Sequence, residues 1–158
     1  MVDVTEISAI VAAMGVLVGV AYYVLDMRNQ TRIRQTDMVM RLYNTFGSTE
    51  FQEAYQKMMG SEIEDYAEYM RRHSTNFEMR AAAFTVGIFF EGIGVLVRRN
   101  LISMDLVDDL LSSPISDTWE KLKPLIEGRR EQLKRPQTME WFEYLYNEMK
   151  KREQRKTM

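Results

Sequence analysis

Residues 7–25 read ISAIVAAMGVLVGVAYYVL, a run of nineteen residues without a charged side chain. As an α-helix this run is about 28 Å long at ~1.5 Å rise per residue, which matches the ~30 Å hydrocarbon core of a bilayer. The run therefore predicts a transmembrane helix that tethers the rest of the chain. The predicted fold class is all-α: a single N-terminal transmembrane helix followed by a cytosolic helical bundle.

The charges on either side of this run predict its orientation. Asp3 and Glu6 precede it, and the residues just after it include Asp26, Arg28, Arg32 and Arg34. Positively charged flanks stay on the cytoplasmic side, so we predict a single-pass protein of the cell (inner or plasma) membrane with its C-terminal domain in the cytoplasm. The alternative, a cleaved signal peptide, carries positive charge before a shorter apolar core and ends in a small-residue cleavage site. Here the leading residues are acidic and the core is long.

Small residues form a stripe along the predicted anchor. Gly15 and Gly19 make a GxxxG motif, and Ala12 and Ser8 extend the small residues along roughly the same face. Small side chains let two membrane helices approach closely and gain van der Waals contact. We predict self-association of the anchor through this face; the alternative is that glycine is simply common in membrane helices.

The composition excludes several kinds of function. A net charge of −2 argues against a general nucleic-acid binder, which is usually strongly basic. The absence of cysteine excludes disulfides and thiolate sites, and a lone His73 excludes multi-histidine metal sites. No phosphate loop or catalytic triad stands in a recognisable context. We therefore predict no enzyme activity, no cofactor, and no catalytic, cofactor-binding or metal-binding residues.

Apolar residues at helical spacing divide the chain into segments. The anchor is expected to continue unbroken to Phe46, because neither proline nor glycine intervenes before Gly47, a reasonable C-terminal stop. A last helix is expected over Thr138–Arg152, fraying into a basic end. The predicted segments are a transmembrane anchor, a juxtamembrane helix, a cytosolic helical domain and a basic tail, at residues 1–27, 28–48, 49–149 and 150–158.

Capping residues and prolines predict where helices begin and end. Ser61–Glu64 and Thr75–Glu78 fit the capping-box pattern. Ser103 is expected to cap a short helix, and Pro114 to open the next one at its first position. Pro124 is expected to kink or divide that helix.

The segment Ala81–Val97, AAAFTVGIFFEGIGVLV, contains one charge, Glu91. We predict a buried central helix of the bundle; the alternative, a second membrane span, would place Glu91 in lipid at a high cost. Gly87 and Gly94 lie four residues before and three after Glu91, so we expect it to meet a closely packed neighbouring helix. The expected partner is an arginine of another helix, and a titrating or ligand-binding role is the alternative. The candidate partners are Arg71, Arg72, Arg129 and Arg130.

Basic residues recur in pairs and at the C-terminus. They are candidate contacts to a small anion or to acidic lipid, with solvation of helix ends as the alternative. They are Arg71, Arg72, Arg98, Arg99, Arg129, Arg130, Lys150, Lys151 and Arg152.

A set of short motifs after the anchor resembles a known family. The motifs are Asn76-Phe-Glu78, Phe90-Glu91-Gly-Ile-Gly94, Leu101-Ile-Ser-Met-Asp-Leu106, Trp119–Pro124 and Arg129. The chain resembles a family of small bacterial and archaeal membrane-anchored proteins catalogued only as a domain of unknown function. The resemblance implies a helical domain on a single anchor and supplies no activity, substrate or catalytic residue.

The sequence predicts a membrane-tethered helical interaction module, either an accessory subunit or a homo-oligomeric scaffold at the cytoplasmic face. Its expected partners are membrane lipid and either a second copy or a membrane protein complex, and nucleic acid is not among them. The alternative function is a membrane-anchored sensor or effector that binds a small anionic ligand through the arginine pairs.

Overall fold

A computed structural model of the chain describes residues 3–156, with the side chains of residues 5 and 6 excepted. Residues 1 and 2 of the predicted anchor segment 1–27, and residues 157 and 158 of the predicted tail 150–158, lie outside the described residues. The described part consists of six helices and contains no strand, which confirms the all-α prediction. The helices are α1 (Val4–Phe46), α2 (Thr49–Gly60), α3 (Tyr66–Arg72), α4 (Phe77–Arg98), α5 (Met104–Leu133) and α6 (Glu140–Lys156).

The chain divides into two compact units between Asp37 and Met38. In the first unit, α1 has exposed apolar side chains throughout the stretch from Ile7 to Leu25. It is long and apolar enough to cross a membrane. As predicted, α1 runs without interruption to Phe46.

The second unit is a helical bundle with α4 at its centre. Val86, Phe90 and Ile93 of α4 are fully buried, and the helix contacts α2, α5 and α6. Rings of three helices meet in the core: Phe90 stacks on Phe142 with centroids 5.2 Å apart, and Trp119 meets Phe142 edge-on at 5.1 Å. The helix is also long and apolar enough to cross a membrane. As predicted, it lies at the centre of the bundle, where 44% of its apolar stretch is buried, while Phe84 and Ile88 are exposed.

The ends of α4 show how local sequence sets its length. Asn76 is the N-cap, and its side chain accepts a hydrogen bond from the Met79 N–H at 3.0 Å. The predicted capping box therefore began one residue too early, at Thr75. At the other end Asn100 has φ 56°, and the Leu101 N–H donates to the Leu96 carbonyl at 2.9 Å. This left-handed turn satisfies carbonyls left free at the helix end.

The predicted helix start at Ser61 is wrong. The Ser61 hydroxyl donates to the Met58 carbonyl at 2.7 Å, so it closes the end of α2. Helix α3 begins at Tyr66 instead, where the Asp65 carboxylate accepts from the Glu68 N–H at 2.8 Å. The buried Ser61 satisfies a carbonyl left free at the end of α2, and Asp65 supplies the N-cap of α3.

Helix α5 corrects the predicted breaks at Pro114 and Pro124. Its N-cap is Ser103, as predicted, but the helix continues through both prolines to Leu133. A proline inside a helix costs ~3 kcal/mol. Buried residues on both sides of the prolines share one face and offset that cost, because each large apolar side chain contributes about 1.5–3 kcal/mol on burial. These residues are Leu111, Ile115, Trp119, Leu122 and Ile126.

Helix α6 begins at Glu140 and reaches Lys156, so the expected fraying after Arg152 is wrong for the described residues. The basic side chains of its last turns bind acidic side chains of α5. Arg152 lies 2.7 Å from Asp105, and Lys156 lies 2.9 Å from Asp108. These ion pairs hold the last turns of α6 against α5.

Candidate functional site

A cavity of about 580 Å³ opens between α3, α4, α5 and the segment that precedes α6. Its size falls within the ~300–1,000 Å³ typical of small-molecule sites. Its wall is mainly apolar and is contributed by Met70, Phe77, Ala81, Ala83, Phe84, Gly87, Leu122, Leu125, Ile126, Leu133 and Met139. Polar groups enter the wall from Tyr66, Tyr69, Arg80, Thr85, Arg129 and Thr138.

Two glycines shape the walls of this cavity. A Cβ atom on Gly128 of α5 would overlap the Tyr66 Cβ, so the close approach of α3 to α5 requires glycine there. A Cβ on Gly87 of α4 would lie 3.2 Å from the Met139 Cε. Gly128 therefore lets α3 approach α5 closely, and Gly87 leaves space on α4 for the Met139 side chain.

Arg80 and Arg129 bring positive charge to the cavity. Arg80 lies in the first turn of α4, and its Nε is buried without a hydrogen-bond partner. The Arg129 guanidinium lies over the Phe84 ring, 5.6 Å from the centroid. No carboxylate lines the cavity, and neither arginine forms an ion pair within the described part of the chain. A buried donor without an acceptor costs ~1–3 kcal/mol, so the Arg80 Nε offers an unused hydrogen bond at the cavity.

Tyr69 adds no charge to the cavity. Its hydroxyl donates to the Met79 carbonyl at 3.0 Å. Burial raises the pKa of Tyr69, although the nearby Arg80 opposes the shift. Tyr69 is therefore neutral at pH 7, and the two arginines supply the charge of the lining.

The segment before α6 is fixed in an unusual backbone conformation. Met139 has φ 56°, a left-handed conformation that is costly for a residue with a side chain. Arg130 holds it there by donating to the Thr138 carbonyl at 2.8 Å and to the Met139 carbonyl at 3.4 Å. Arg130 also forms an ion pair with Glu143 at 2.8 Å. Its charge is thus used in holding one wall of the cavity.

The expected arginine partner of Glu91 is wrong. Glu91 is half-buried and accepts hydrogen bonds from the backbone N–H of Phe142, at 2.7 Å, and of Trp141. These N–H groups belong to the first turn of α6, where unpaired donors and the helix dipole attract a carboxylate. Burial raises the pKa of Glu91, the two N–H groups oppose that shift, and the Arg130 charge opposes it more weakly.

The predicted close approach beside Glu91 is confirmed at Gly94. A Cβ on this residue would overlap the Trp141 carbonyl oxygen. Glycine at this position brings α6 so close to α4 that Glu91, one turn earlier, reaches the N–H groups of α6.

The structure does not bring the predicted arginine pairs together. Arg71 and Arg72 bind Glu68, at 2.7 and 3.2 Å, on the exposed side of α3. The Arg98 guanidinium lies 6.0 Å from the Trp141 ring centroid, and Arg99 is exposed. Of the predicted pairs, only Arg129 lines the cavity.

The basic residues predicted at the C-terminal end lie far along α6 from the cavity lining. Lys150 pairs with Glu120 at 3.2 Å and Lys151 with Glu148 at 2.7 Å. A contact of these residues, with Arg152, to acidic lipid stays a prediction.

Arg80 is the site residue that sequence reasoning missed. It stands directly before the apolar run of α4, a position typical of a solvated helix end. No local signal identified it, because the absence of an acidic partner depends on tertiary packing.

The predicted small-residue face of α1 has open space beside it. A Cβ on Gly15 or on Gly19 would meet no atom within 4 Å. Self-association through Ser8, Ala12, Gly15 and Gly19 stays a prediction. Among the residues that the structure describes, no group of three or more histidine, aspartate or glutamate side chains is arranged to hold a metal ion.

Comparison with known proteins identifies a family. A family model described as Domain of unknown function (DUF4760) matches residues 8–149, which is most of the chain. The chain belongs to this family, as the short motifs predicted; the bacterial or archaeal origin and the membrane anchoring stay predictions. No curated protein and no solved structure matches the chain.

Proposed function

We propose that this member of the DUF4760 family is a membrane-tethered, ligand-binding helical domain. Helix α1 anchors the chain, and the bundle binds a small anionic molecule beside Arg80 and Arg129. The observation that carries the proposal is the pair of guanidinium groups that line a mainly apolar cavity without a carboxylate partner. An anion there accepts charge-assisted hydrogen bonds, which are stronger than neutral ones and are little screened away from water.

The apolar surface of α1 supports the anchor. Its side chains from Ile7 to Leu25 are exposed, and such a continuous apolar surface is unfavourable in water. A bilayer core matches this stretch in length and polarity. The acidic residues before it and the arginines after it favour an orientation with the bundle in the cytoplasm, at the inner or plasma membrane.

The ligand proposal is tested by the thermal stability of the full chain in detergent with a panel of acids. Phosphate, benzoate and oleate sample different sizes, and a ligand raises the melting temperature because it binds only the folded state. We expect at least one of these acids to raise it, and Arg80→Gln with Arg129→Gln to abolish the rise. Arg99→Gln is the matched control, because Arg99 is exposed and does not line the cavity. If none of the acids changes the melting temperature, the proposal is wrong.

A second candidate function is the helical interaction module, in which the anchored domain is an accessory subunit or a homo-oligomeric scaffold. It is favoured by large apolar side chains exposed along α4, namely Phe77, Phe84, Ile88 and Val95. Exposed apolar surface of this kind often marks a protein contact. Solubilisation in a mild detergent, followed by measurement of the mass of the complex and identification of the chains in it, tests this candidate. A mass of one chain without a partner contradicts it.

A further inference from the structure

Resting on the proposed ligand-binding function, we infer that the cavity takes a single-chain amphiphile, a long hydrocarbon chain that ends in a carboxylate or phosphate group. The acidic head would pair with Arg80 and Arg129, and the chain would lie along the apolar wall. The juxtaposition of two unpaired guanidinium groups with a large apolar cavity carries this inference.

The volume of the cavity favours a ligand with a chain. A bare phosphate or acetate ion would occupy a small part of about 580 Å³. The rest of the wall, including Leu122, Leu125 and Ile126, would stay in contact with water. A hydrocarbon chain removes that water, which is favourable in proportion to the apolar area covered.

The polar groups in the wall are too few for a sugar or a nucleotide. Apart from the arginines, hydroxyl groups come from Thr85, Thr138 and two tyrosines, and no carboxylate or amide side chain lines the cavity. A ligand with many hydroxyl or ring-nitrogen groups would leave them unpaired against the apolar wall, at a cost for each group. An amphiphile with one charged end requires polar partners only at that end.

Three of the four exposed residues of the lining are apolar, and the fourth is Thr85. Phe77, Phe84 and Leu133 line the cavity while 73%, 46% and 44% of their surfaces are exposed. An apolar entrance suits a molecule that is partitioned into a membrane or carried in a micelle. Phe84 also lies under the Arg129 guanidinium, so the charged head and the start of the chain would find their partners side by side.

Methionine side chains let the wall follow a flexible chain. Met70 and Met139 both line the cavity. Methionine is unbranched and repacks readily around irregular shapes. The Met139 backbone is held by Arg130, so the side chain is free to adjust while the wall itself stays in place.

The inference is tested by native mass spectrometry of the full chain released from detergent micelles. Oleate and oleyl phosphate distinguish the two acidic heads, oleyl alcohol supplies the chain without charge, and inorganic phosphate supplies the charge without a chain. We expect one molecule of oleate or of oleyl phosphate to bind per protein, at least about tenfold more tightly than oleyl alcohol, because a charge-assisted hydrogen bond is worth about that factor.

Variants separate the two halves of the ligand. Arg80→Gln with Arg129→Gln should lose about tenfold or more in oleate binding, whereas the exposed control Arg99→Gln should bind as the native chain does. Ala81→Phe fills the apolar part of the cavity and leaves both arginines in place. It should reduce binding of the long-chain acid more than that of short acids. The helical signal in the circular dichroism spectrum of each variant checks that the bundle is folded.

The outcomes distinguish this inference from the function on which it rests. Arginine-dependent binding of phosphate or benzoate without binding of a long-chain acid overturns the amphiphile and leaves the proposed function standing. Equal binding of oleate and oleyl alcohol, unaffected by the arginine changes, also overturns the amphiphile. Absence of binding by every acid overturns both.

Discussion

Glu91 of α4 accepts hydrogen bonds from the Phe142 and Trp141 N–H groups in the first turn of α6. Glu91→Ala leaves both donors short of an acceptor and should lower the free energy of unfolding by about 1–3 kcal/mol. Glu91→Gln keeps one carbonyl oxygen and should cost less than the alanine change. Denaturant titration of the full chain in detergent, followed by circular dichroism, measures both. Equal losses for the two variants would mean that the hydrogen bonds to α6 contribute little.

The raised pKa of Glu91 predicts how its contribution depends on pH. Burial raises its pKa above the ordinary value of 4.5, so the folded chain binds the proton more tightly than the unfolded chain does. Protonation of Glu91 therefore adds to the free energy of unfolding. This contribution is fully present below pH 4.5 and is lost as the pH rises through the pKa of Glu91 in the folded chain. The native chain should therefore gain stability relative to Glu91→Gln as the pH falls from 7 toward 4.5. An unchanged difference across this range contradicts the raised pKa.

Arg80 and Arg129, which supply the positive charge of the cavity, show how much of the site can be predicted from sequence. Arg129 was found because it stands in an arginine pair, but its partner in the pair, Arg130, is taken up by Glu143 and by backbone carbonyls. Arg80 lies on a different helix. It lacks an acidic partner because the tertiary packing brings no carboxylate into the lining of the cavity. The residues next to Arg80 in the sequence do not show that an acidic partner is missing.

Glycines set the distance between α4 and α6. Gly94→Ala places a methyl group against the Trp141 backbone and should destabilise the bundle by about 1–3 kcal/mol through overpacking. Gly92 lies on the same helix, is exposed, and has open space where a Cβ would stand. Gly92→Ala is therefore the matched control and should stabilise by about 0.5–1 kcal/mol. Comparison of the two melting curves checks the pair, and a neutral Gly94→Ala would contradict the close contact.

The small-residue face of α1 predicts a contact between anchors. If the solubilised protein has a mass of more than one chain, Gly15→Ile with Gly19→Ile should reduce it to one, because the larger side chains keep two helices apart. Leu17→Ile with Val24→Ile changes the opposite face of the same helix and should leave the mass unchanged. Light scattering of the detergent complex gives the mass. An unchanged oligomer in the glycine variant would place the contact elsewhere.

The helices show where sequence patterns suffice and where they do not. The apolar spacing of α4 and its glycines predicted a buried helix closely packed beside Glu91. Such a prediction succeeds because buried positions require apolar residues and a close approach of two helices requires a small one. The prolines of α5 predicted breaks that do not occur, since the buried face on both sides of them outweighs a local propensity. Likewise, Ser61 fits a helix start by its neighbours but closes α2 in the folded chain.

At the scale of the whole chain, two units carry two proposed roles. The unit that ends at Asp37 supplies a continuous apolar surface, and the unit that begins at Met38 supplies the cavity. The ligand inferred for the cavity is itself a molecule that collects in membranes. A tether would keep the bundle at the surface where such a molecule is most concentrated, so the anchor and the site would serve one function.

The charges around α1 predict which side of the membrane the bundle occupies. We expect a reporter that is active only in the cytoplasm to be active when it is fused after the C-terminal residue, because the arginines after the apolar stretch resist translocation. Exchange of the flanks, with Asp3→Lys and Glu6→Lys before the stretch and Arg28→Glu, Arg32→Glu and Arg34→Glu after it, should reduce the reporter signal severalfold. The native fusion must also remain with the membrane fraction in high salt and enter solution with detergent. An active reporter in the salt-soluble fraction would contradict the anchor, and a silent native fusion that stays in the membrane would contradict the orientation alone.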